Sequence, residues 1–191
     1  MMCFKVAAAA MAVAVCVVSL NAEARPTISI SYSYYSVSGS SLPEIYQSMK
    51  AHAPSAAGTK GYGVTTASPG KQMSVASCKA GGHYQIGVNV NIRLPKASGG
   101  GLSSSEAAQW SSFVAFVKRH EETHRMIWLD CTTTFERQFQ ASAPADCGAA
   151  HAKAQVMWRQ MVSACMPRQA AFDAAQASVA RAHPFMKFAK R

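Results

Sequence analysis

Two histidines and a glutamate in this chain have the spacing of a metal site that performs hydrolysis. His120, Glu121 and His124 follow the pattern H-E-x-x-H. Four residues along an α-helix turn about 400°, so the two imidazole rings project from one face about one turn apart and can bind a single ion. Glu121 would not be a ligand in such a site, but would hold a water molecule and take its proton. The pattern therefore predicts a zinc hydrolase site.

The residues around this motif predict one long amphipathic helix. Ser103, with Glu106 three residues later, has the form of a capping box, so we expect the helix from about Ser104 to Gln138. Both histidines fall within its apolar stripe, which comprises Trp110, Phe113, Val114, Val117, Ile127, Cys131 and Phe135. Buried histidines are often hydrogen-bonded core residues, and that is the alternative interpretation of the pair.

A catalytic zinc ion needs a third protein ligand and an open position for water. Asp130 stands where some H-E-x-x-H proteases have their third ligand, but those chains turn away after a glycine, and here that position is Ile127. On a continuous helix Asp130 would lie about 9 Å further along the axis than His124 and could not reach the ion. The third ligand is therefore expected from the later helices, where the candidates are Asp173, His183 and His151.

The first residues are typical of a secretory signal peptide. Met1–Lys5 is a short basic segment, Val6–Leu20 is apolar, and Ala22-Glu23-Ala24 is a cleavage site of the small-x-small type. We expect residues 1–24 to be removed and the mature protein to begin at Arg25. The prediction is a periplasmic or extracellular protein without a transmembrane anchor.

Export predicts an oxidising compartment, in which cysteines form disulfides. Four cysteines follow the signal peptide, namely Cys78, Cys131, Cys147 and Cys165. An even number favours two disulfides, for which three connectivities are open. A bridge from Cys131 would pin the predicted zinc helix to its neighbour. A zinc cluster built from these cysteines is disfavoured because no C-x-x-C spacing occurs.

The chain is basic, with 19 lysine and arginine residues against 9 aspartate and glutamate residues and a formal net charge of +10. This balance suits adsorption to anionic surfaces, and we expect an anionic cell-envelope polymer as a partner besides the substrate. Most of the cations are dispersed along the sequence, so we predict no nucleic-acid partner.

Segments of alternating polarity predict strands. Thr27–Val37 is expected to bury one face, formed by Ile28, Ile30, Tyr32 and Tyr34. Tyr84–Leu94 alternates most regularly and is expected to end at Pro95 and to pair with Met73–Cys78 in a hairpin. A brief strand is expected at Tyr62–Thr66.

Capping residues predict the other helices. Ser41 begins a short helix over Leu42–His52, and Asp146 begins a second long helix. Pro167 is expected to kink or divide that helix, leaving a final helical piece over Arg168–Arg181. Strands precede long helices, which favours an α+β fold. We predict one domain over residues 25–191, in which a small antiparallel sheet packs on the zinc-binding helix and an antiparallel helical segment follows.

The chain resembles a bacterial family of predicted secreted zinc-dependent proteases, domain of unknown function 922, within the zincin group. The resemblance covers nearly all of the mature chain. It rests on Tyr34-Tyr35-Ser36-Val37-Ser38-Gly39, Met49, Cys78, Leu94-Pro95, His120-Glu121-Glu122-Thr123-His124, Cys147 and Phe172-Asp173.

The resemblance implies a zincin-like fold with one Zn²⁺ per chain, held by His120 and His124, and Glu121 as general base. It also implies a disulfide between Cys78 and Cys147. Asp173 matches an aromatic-Asp pair of the family and is the first choice for third ligand, with His183 second. The family usually follows that pair with threonine and His-Gly, which this chain lacks. By analogy with zincins, a peptide substrate would add to the sheet edge, expected at Tyr84–Leu94.

Three functions are compatible with these observations. The first is a secreted or periplasmic zinc metalloprotease that hydrolyses peptide bonds in peptide or protein substrates. The second is a zinc amidase that acts on peptidoglycan, an anionic polymer that would suit the basic surface. The third is a non-catalytic envelope protein, stapled by disulfides, with a structural or degenerate metal site.

Overall fold

The structure is a computed structural model, and it describes residues 26–56, 59–69, 86–144 and 146–188. The elements in chain order are β1 (Thr27–Ser38), α1 (Leu42–His52), β2 (Ser55–Ala56), β3 (Thr59–Lys60), β4 (Val64–Pro69), β5 (Gly87–Ser98), α2 (Ser104–Gln140), α3 (Cys147–Ala182) and α4 (Pro184–Phe188). The predicted α+β class is confirmed. The predicted bounds of α1 are also confirmed.

The main sheet is mixed rather than antiparallel as predicted. Its strand order is β1-β5-β4, with β5 in the centre. β1 pairs with β5 in parallel, from Thr27 opposite Gly87 to Ser38 opposite Ser98, and β4 pairs with β5 antiparallel. Parallel neighbours need a crossover connection, and α1 lies in the segment that joins β1 to β5. The prediction that the Tyr84–Leu94 strand forms the sheet edge is therefore wrong.

The buried face of β1 also differs from the prediction. Ile30, Tyr32 and Tyr34 are exposed, whereas Tyr35 and Val37 are buried. α2 packs against β5 and β4, whereas α1 packs against β1. The long helix α2 therefore does not cover most of β1. Alternation correctly predicted a strand, but it cannot identify which strand is central and which is at an edge.

Pro95 does not end β5, which continues to Ser98. Pro95 is paired with Tyr35 of β1, but β4 reaches only as far as Arg93. Beyond Arg93, β5 no longer pairs with β4, so that pairing needs no backbone N–H from this part of β5. A proline, which has no N–H, is tolerated at such a position. The predicted end of this strand was therefore four residues too early.

α2 begins as predicted. The Ser103 hydroxyl accepts from the Glu106 N–H while the Glu106 carboxylate accepts from the Ser103 N–H, which completes the capping box. The helix runs for 37 residues, and its buried stripe includes Phe113, Trp128 and Phe135. α2 packs on β4, β5 and α3, and the buried stripe itself reaches α3, where Phe135 contacts Trp158.

α3 is one helix, with Pro167 in its interior, so the prediction of a division there is wrong. Proline removes one backbone hydrogen bond of the helix. The flanking residues Cys165 and Gln169 are both buried, and each contacts α2. Contacts of this kind on both sides of Pro167 stabilise the continuous helix. Cys131 lies beside Cys165 and His120 beside Asp173, so α3 runs antiparallel to α2, as predicted.

The structure describes three of the four cysteines that follow the predicted signal peptide. Cys131 and Cys165 form a disulfide that joins α2 to α3. Cys147, at the start of α3, is disulfide-bonded as well. Cys78 lies outside the described residues, as do the predicted signal peptide over residues 1–24 and the Met73–Cys78 hairpin strand. Within the described part of the chain, no helix has the length and apolar character needed to cross a membrane.

Candidate metal centre

Three polar atoms from two helices converge where α2 faces α3. The Nε2 atoms of His120 and His124 are 3.0 Å apart. The Asp173 Oδ1 atom of α3 lies 3.0 Å from the first and 2.9 Å from the second. The spacing of four residues aligns the histidines on one face of α2, and the antiparallel neighbour brings Asp173 opposite them. These residues form a group that could hold a metal ion.

The chemistry of the donor set fits a cation. A neutral imidazole has only one ring proton, and an ionised carboxylate has none. Burial lowers the pKa of His120, and the neighbouring His124 lowers it further, so the neutral ring is favoured. Electron-rich atoms would then face each other at about 3 Å, an arrangement that a shared cation stabilises. Atoms this close can all lie about 2 Å from one common point, the usual distance between zinc and its nitrogen or oxygen ligands.

The site is closed on one side and open on another. The Phe172 ring packs against both imidazoles, with its centroid 4.7 Å from that of His120 and 5.0 Å from that of His124. The Asp173 side chain, by contrast, is 58% exposed. A bound ion would therefore be held against an apolar wall and could be reached by water from the side of Asp173.

Glu121 occupies a different environment from the two histidines beside it. It is buried against β4, where the Thr65 hydroxyl contacts its Oε2 atom at 2.8 Å and its backbone carbonyl at 3.0 Å. A Cβ atom at Gly63 would lie 2.8 Å from the Glu121 Oε1 atom, so β4 and the residue before it approach the carboxylate closely. Burial raises the pKa of Glu121, although the hydrogen bond from Thr65 and the charge of His124 oppose this effect.

His124 has a second polar partner in α3. Its Nδ1 atom lies 2.5 Å from the Oε1 atom of Gln169, and the Gln169 amide nitrogen donates to the His124 carbonyl oxygen at 3.3 Å. Gln169 is buried. It precedes Asp173 by four residues, so one face of α3 presents both side chains to the histidine pair.

Other candidates from the sequence lie elsewhere. The His183 ring packs against Phe113, with the centroids 5.4 Å apart, and is not part of the His-His-Asp group. His151 contacts Gln155 through its Nε2 atom at 2.8 Å and is also outside the group. Asp130 accepts a hydrogen bond from Arg168 at 2.7 Å, away from the histidines.

Sequence reasoning gave Asp173 as the first choice among three candidates but missed Gln169, Thr65 and Gly63. Gln169 had one usable signal, because it stands one helical turn before Asp173. Thr65 and Gly63 had none. They are more than 50 residues from Glu121 in the sequence and reach it because β4 packs against α2.

The fold and the site define an α+β protein whose two long helices present a His-His-Asp group. The chain belongs to a bacterial family of proteins of unknown function, DUF922, whose family model matches residues 32–180. No curated protein and no solved structure matches the chain.

Proposed function

We propose that this chain is an exported zinc metallopeptidase with a single zincin-like domain over residues 25–191. The observation that carries the proposal is the convergence of His120, His124 and Asp173, whose three polar atoms lie within 3.0 Å of each other. The neutral nitrogens and the carboxylate oxygen are typical zinc ligands. One such ion per chain is expected.

A bound zinc ion supplies Lewis acidity, which lets water ionise near neutral pH and polarises a substrate carbonyl. Glu121 acts as the general base that takes the proton of the attacking water and then returns it to the leaving amine. The raised pKa of Glu121, caused mainly by its burial, suits a group that must both accept and release a proton. Thr65 holds one carboxylate oxygen and thereby orients the group.

The substrate is a peptide or protein segment in extended form. Among the strands that the structure describes, β4 lies at one side of the main sheet, and its Thr65 contacts Glu121 directly. An extended peptide that pairs with the outer edge of β4 would pass beside the general base. This assignment replaces the expectation that Tyr84–Leu94 would receive the substrate, because that strand is central.

Export is supported by the cysteines. The disulfide between Cys131 and Cys165, and the bonded state of Cys147, are typical of proteins that mature in an oxidising compartment. An anionic envelope polymer is proposed as a further partner on the basis of the net charge of +10.

The first experiment measures the metal content of the purified, oxidised mature protein by mass spectrometry. About one zinc per chain is expected in the wild type, with loss in His120→Ala and weakening in Asp173→Ala. His183→Ala is the matched control, because it removes an imidazole that lies outside the group, and it should retain the ion. A wild type that carries no zinc, and takes up none when zinc is supplied, would contradict the proposal.

The second experiment tests catalysis with the Glu121→Gln variant. It should retain zinc and lose hydrolysis of a protein substrate such as casein, because an amide cannot take the proton of the attacking water. Peptidoglycan fragments are assayed in parallel. Hydrolysis of these fragments alone would favour the amidase, and hydrolysis of neither substrate by the zinc-loaded wild type would favour a non-catalytic metal site.

A further inference from the structure

We infer that Gln169 is the positioning residue that makes Nε2 of His124 the ligand atom. The inference deepens the proposed function and rests on it, because the ligand is oriented for the ion proposed at the His-His-Asp group. Gln169 contacts neither the proposed ion nor the reacting atoms. It acts only through His124, by contacts to the ring and to the backbone carbonyl, and it takes no part in the H-E-x-x-H pattern.

The contacts of Gln169 determine which ring nitrogen carries the proton. The backbone carbonyl oxygen of His124 can only accept a hydrogen bond, so the Gln169 atom at 3.3 Å from it must be the amide nitrogen. The Oε1 atom of Gln169 is then the atom 2.5 Å from Nδ1 of His124. An amide oxygen can only accept, so Nδ1 must donate. In a neutral ring the lone pair is consequently on Nε2, the atom that faces Asp173 and His120.

The burial of Gln169 indicates that these two hydrogen bonds are its main interaction. Burying an amide without partners costs free energy, and an apolar residue would fill a helix interface at no such cost. Gln169 is only 6% exposed, and both its polar atoms are bonded to the same residue. One histidine therefore receives the ring contact and the backbone contact, which fixes the rotation of its ring as well as its tautomer.

Partners of this kind usually change metal affinity by about 10- to 100-fold when they are removed. In many zinc sites the partner is a carboxylate, which also makes the histidine a stronger electron donor. The partner of His124 is a neutral amide, which orients the imidazole ring but adds no negative charge beside it. A carboxylate at position 169 would still accept a hydrogen bond from Nδ1–H, whereas a thioether sulfur is only a weak acceptor.

The test is zinc affinity, measured by competition with a chromophoric chelator, for the wild type, Gln169→Met, Gln169→Glu and the control Gln160→Met. Methionine fills nearly the volume of glutamine and should weaken binding about 10- to 100-fold. Gln169→Glu keeps an acceptor for Nδ1 but loses the donor to the His124 carbonyl, so it should bind zinc more tightly than Gln169→Met. Gln160 is exposed on the same helix, and its variant should match the wild type. Unfolding of the metal-free proteins is measured to confirm that all four fold.

A packing role alone predicts the opposite order, because methionine would be tolerated at a buried position and a buried carboxylate would not. Wild-type affinity in Gln169→Met, or a loss in Gln169→Glu as large as in Gln169→Met, would overturn the inference while leaving the metal site intact.

A second measurement separates failure of the inference from failure of the proposed function. Long-range ¹H–¹⁵N spectra of the metal-free protein report which nitrogen of His124 is protonated, whether or not zinc binds. The wild type should have the Nδ1–H form, and Gln169→Met should gain the Nε2–H form. An Nε2–H form in the wild type would overturn the role of Gln169. A wild type that binds no zinc but has the Nδ1–H form would instead overturn the proposed function.

Discussion

At the scale of single residues, the environment of Glu121 depends on a residue without a side chain. A Cβ atom at Gly63 would lie 2.8 Å from Oε1 of Glu121 and 2.8 Å from Cγ1 of Val117. Neither neighbour can move freely, since Val117 is in the core and Glu121 is buried and bonded to Thr65. Glycine is therefore required here by the close approach of the chain to Glu121, the proposed general base.

Replacing Gly63 by alanine should displace the Glu121 carboxylate while leaving the histidines in place. A misplacement of about 1 Å can reduce a rate by about 100-fold, and we expect a fall of that order in kcat at unchanged zinc content. The measurement is peptide hydrolysis by the zinc-loaded variant. Gly100→Ala is the control, because a Cβ atom there meets nothing within 4 Å. Full activity in Gly63→Ala would show that the carboxylate position is not critical.

Glu136 is a second buried carboxyl, outside the proposed mechanism. It is 1% exposed, and its Oε2 atom has no hydrogen-bond partner among the residues that the structure describes. Burial raises its pKa to about 7, although a hydrogen bond from the backbone of Ile86 opposes the rise. The folded protein therefore holds this proton more tightly than the unfolded chain, in which the pKa is about 4.3.

The pH dependence of stability follows from this difference. Between about pH 4.5 and pH 7 the folded state binds more protons than the unfolded state, so the free energy of unfolding should fall as the pH rises. Glu136→Gln should remove a decrease of about 3 kcal/mol between pH 5 and pH 8, since about two units of the pKa difference lie in that range and each corresponds to about 1.4 kcal/mol. Urea unfolding at pH 5 and pH 8 measures it.

The control for this prediction is Glu44→Gln. Hydrogen bonds from Ser40 lower the pKa of Glu44, so its contribution to stability is present above its unfolded pKa and is lost only as the pH falls below that value. Glu44→Gln should leave the slope between pH 4.5 and pH 7 unchanged. An identical slope in Glu136→Gln and in the wild type would mean that Glu136 is ionised without penalty.

At the scale of elements, the pairing of α2 with α3 determines the site. Four contacts hold α2 against α3. They are the disulfide of Cys131 and Cys165, the bonds of His124 to Gln169 and to Asp173, and the packing of Phe113 on His183, the residue that caps α3. Each ligand helix is fixed along its length by the other. A shift of one turn between them would move Asp173 by about 5.4 Å and disrupt the group.

Removing the disulfide should therefore affect both stability and metal binding. The double variant Cys131→Ser with Cys165→Ser opens a loop of 34 residues, and such a loop predicts a loss of about 3 to 4 kcal/mol of unfolding free energy. Zinc affinity should fall as well, because the register of α2 and α3 is less constrained. Urea unfolding and chelator competition measure the two effects. Unchanged zinc affinity would show that packing alone maintains the register.

The elements were predictable where their signals are local. Ser103 and Glu106 determine the start of α2, and the bounds of α1 follow from Ser41 and the glycine- and proline-rich segment after His52. The predictions that α3 is divided at Pro167 and that β5 ends at Pro95 were wrong for the same reason. A proline excludes one backbone hydrogen bond, but whether the element ends there depends on neighbours that the local sequence does not contain.

At the scale of the whole molecule, helix geometry predicted only the part of the candidate site that lies on one helix. His120 and His124 share one helix, so their mutual position follows from helix geometry. Asp173 needed the antiparallel pairing of two helices of 37 and 36 residues, and Thr65 needed the strand order β1-β5-β4. Both depend on contacts between residues distant in sequence. For that reason helix geometry left three candidates for the third ligand, and the choice of Asp173 among them came from the family resemblance.

Zinc should stabilise the folded chain as a whole, because the ligands come from two elements that unfolding separates. A ligand at 100 times its dissociation constant adds about 2.7 kcal/mol to the free energy of unfolding. Thermal unfolding with and without zinc measures this. His120→Ala should have no zinc-dependent stabilisation, and a wild type that melts identically in both conditions would contradict the proposed site.

The disulfide between α2 and α3 affects the stage at which the protein could bind the proposed zinc ion. Before oxidation, Cys131 and Cys165 are free thiols, and the register that brings Asp173 to the histidines lacks its covalent restraint. A newly made, reduced chain should then compete poorly for zinc against cytoplasmic proteins. Oxidation after the proposed export would tighten the site. Maturation of the proposed metal centre would then be timed by passage into a compartment where the proposed hydrolysis would do the producing cell no harm.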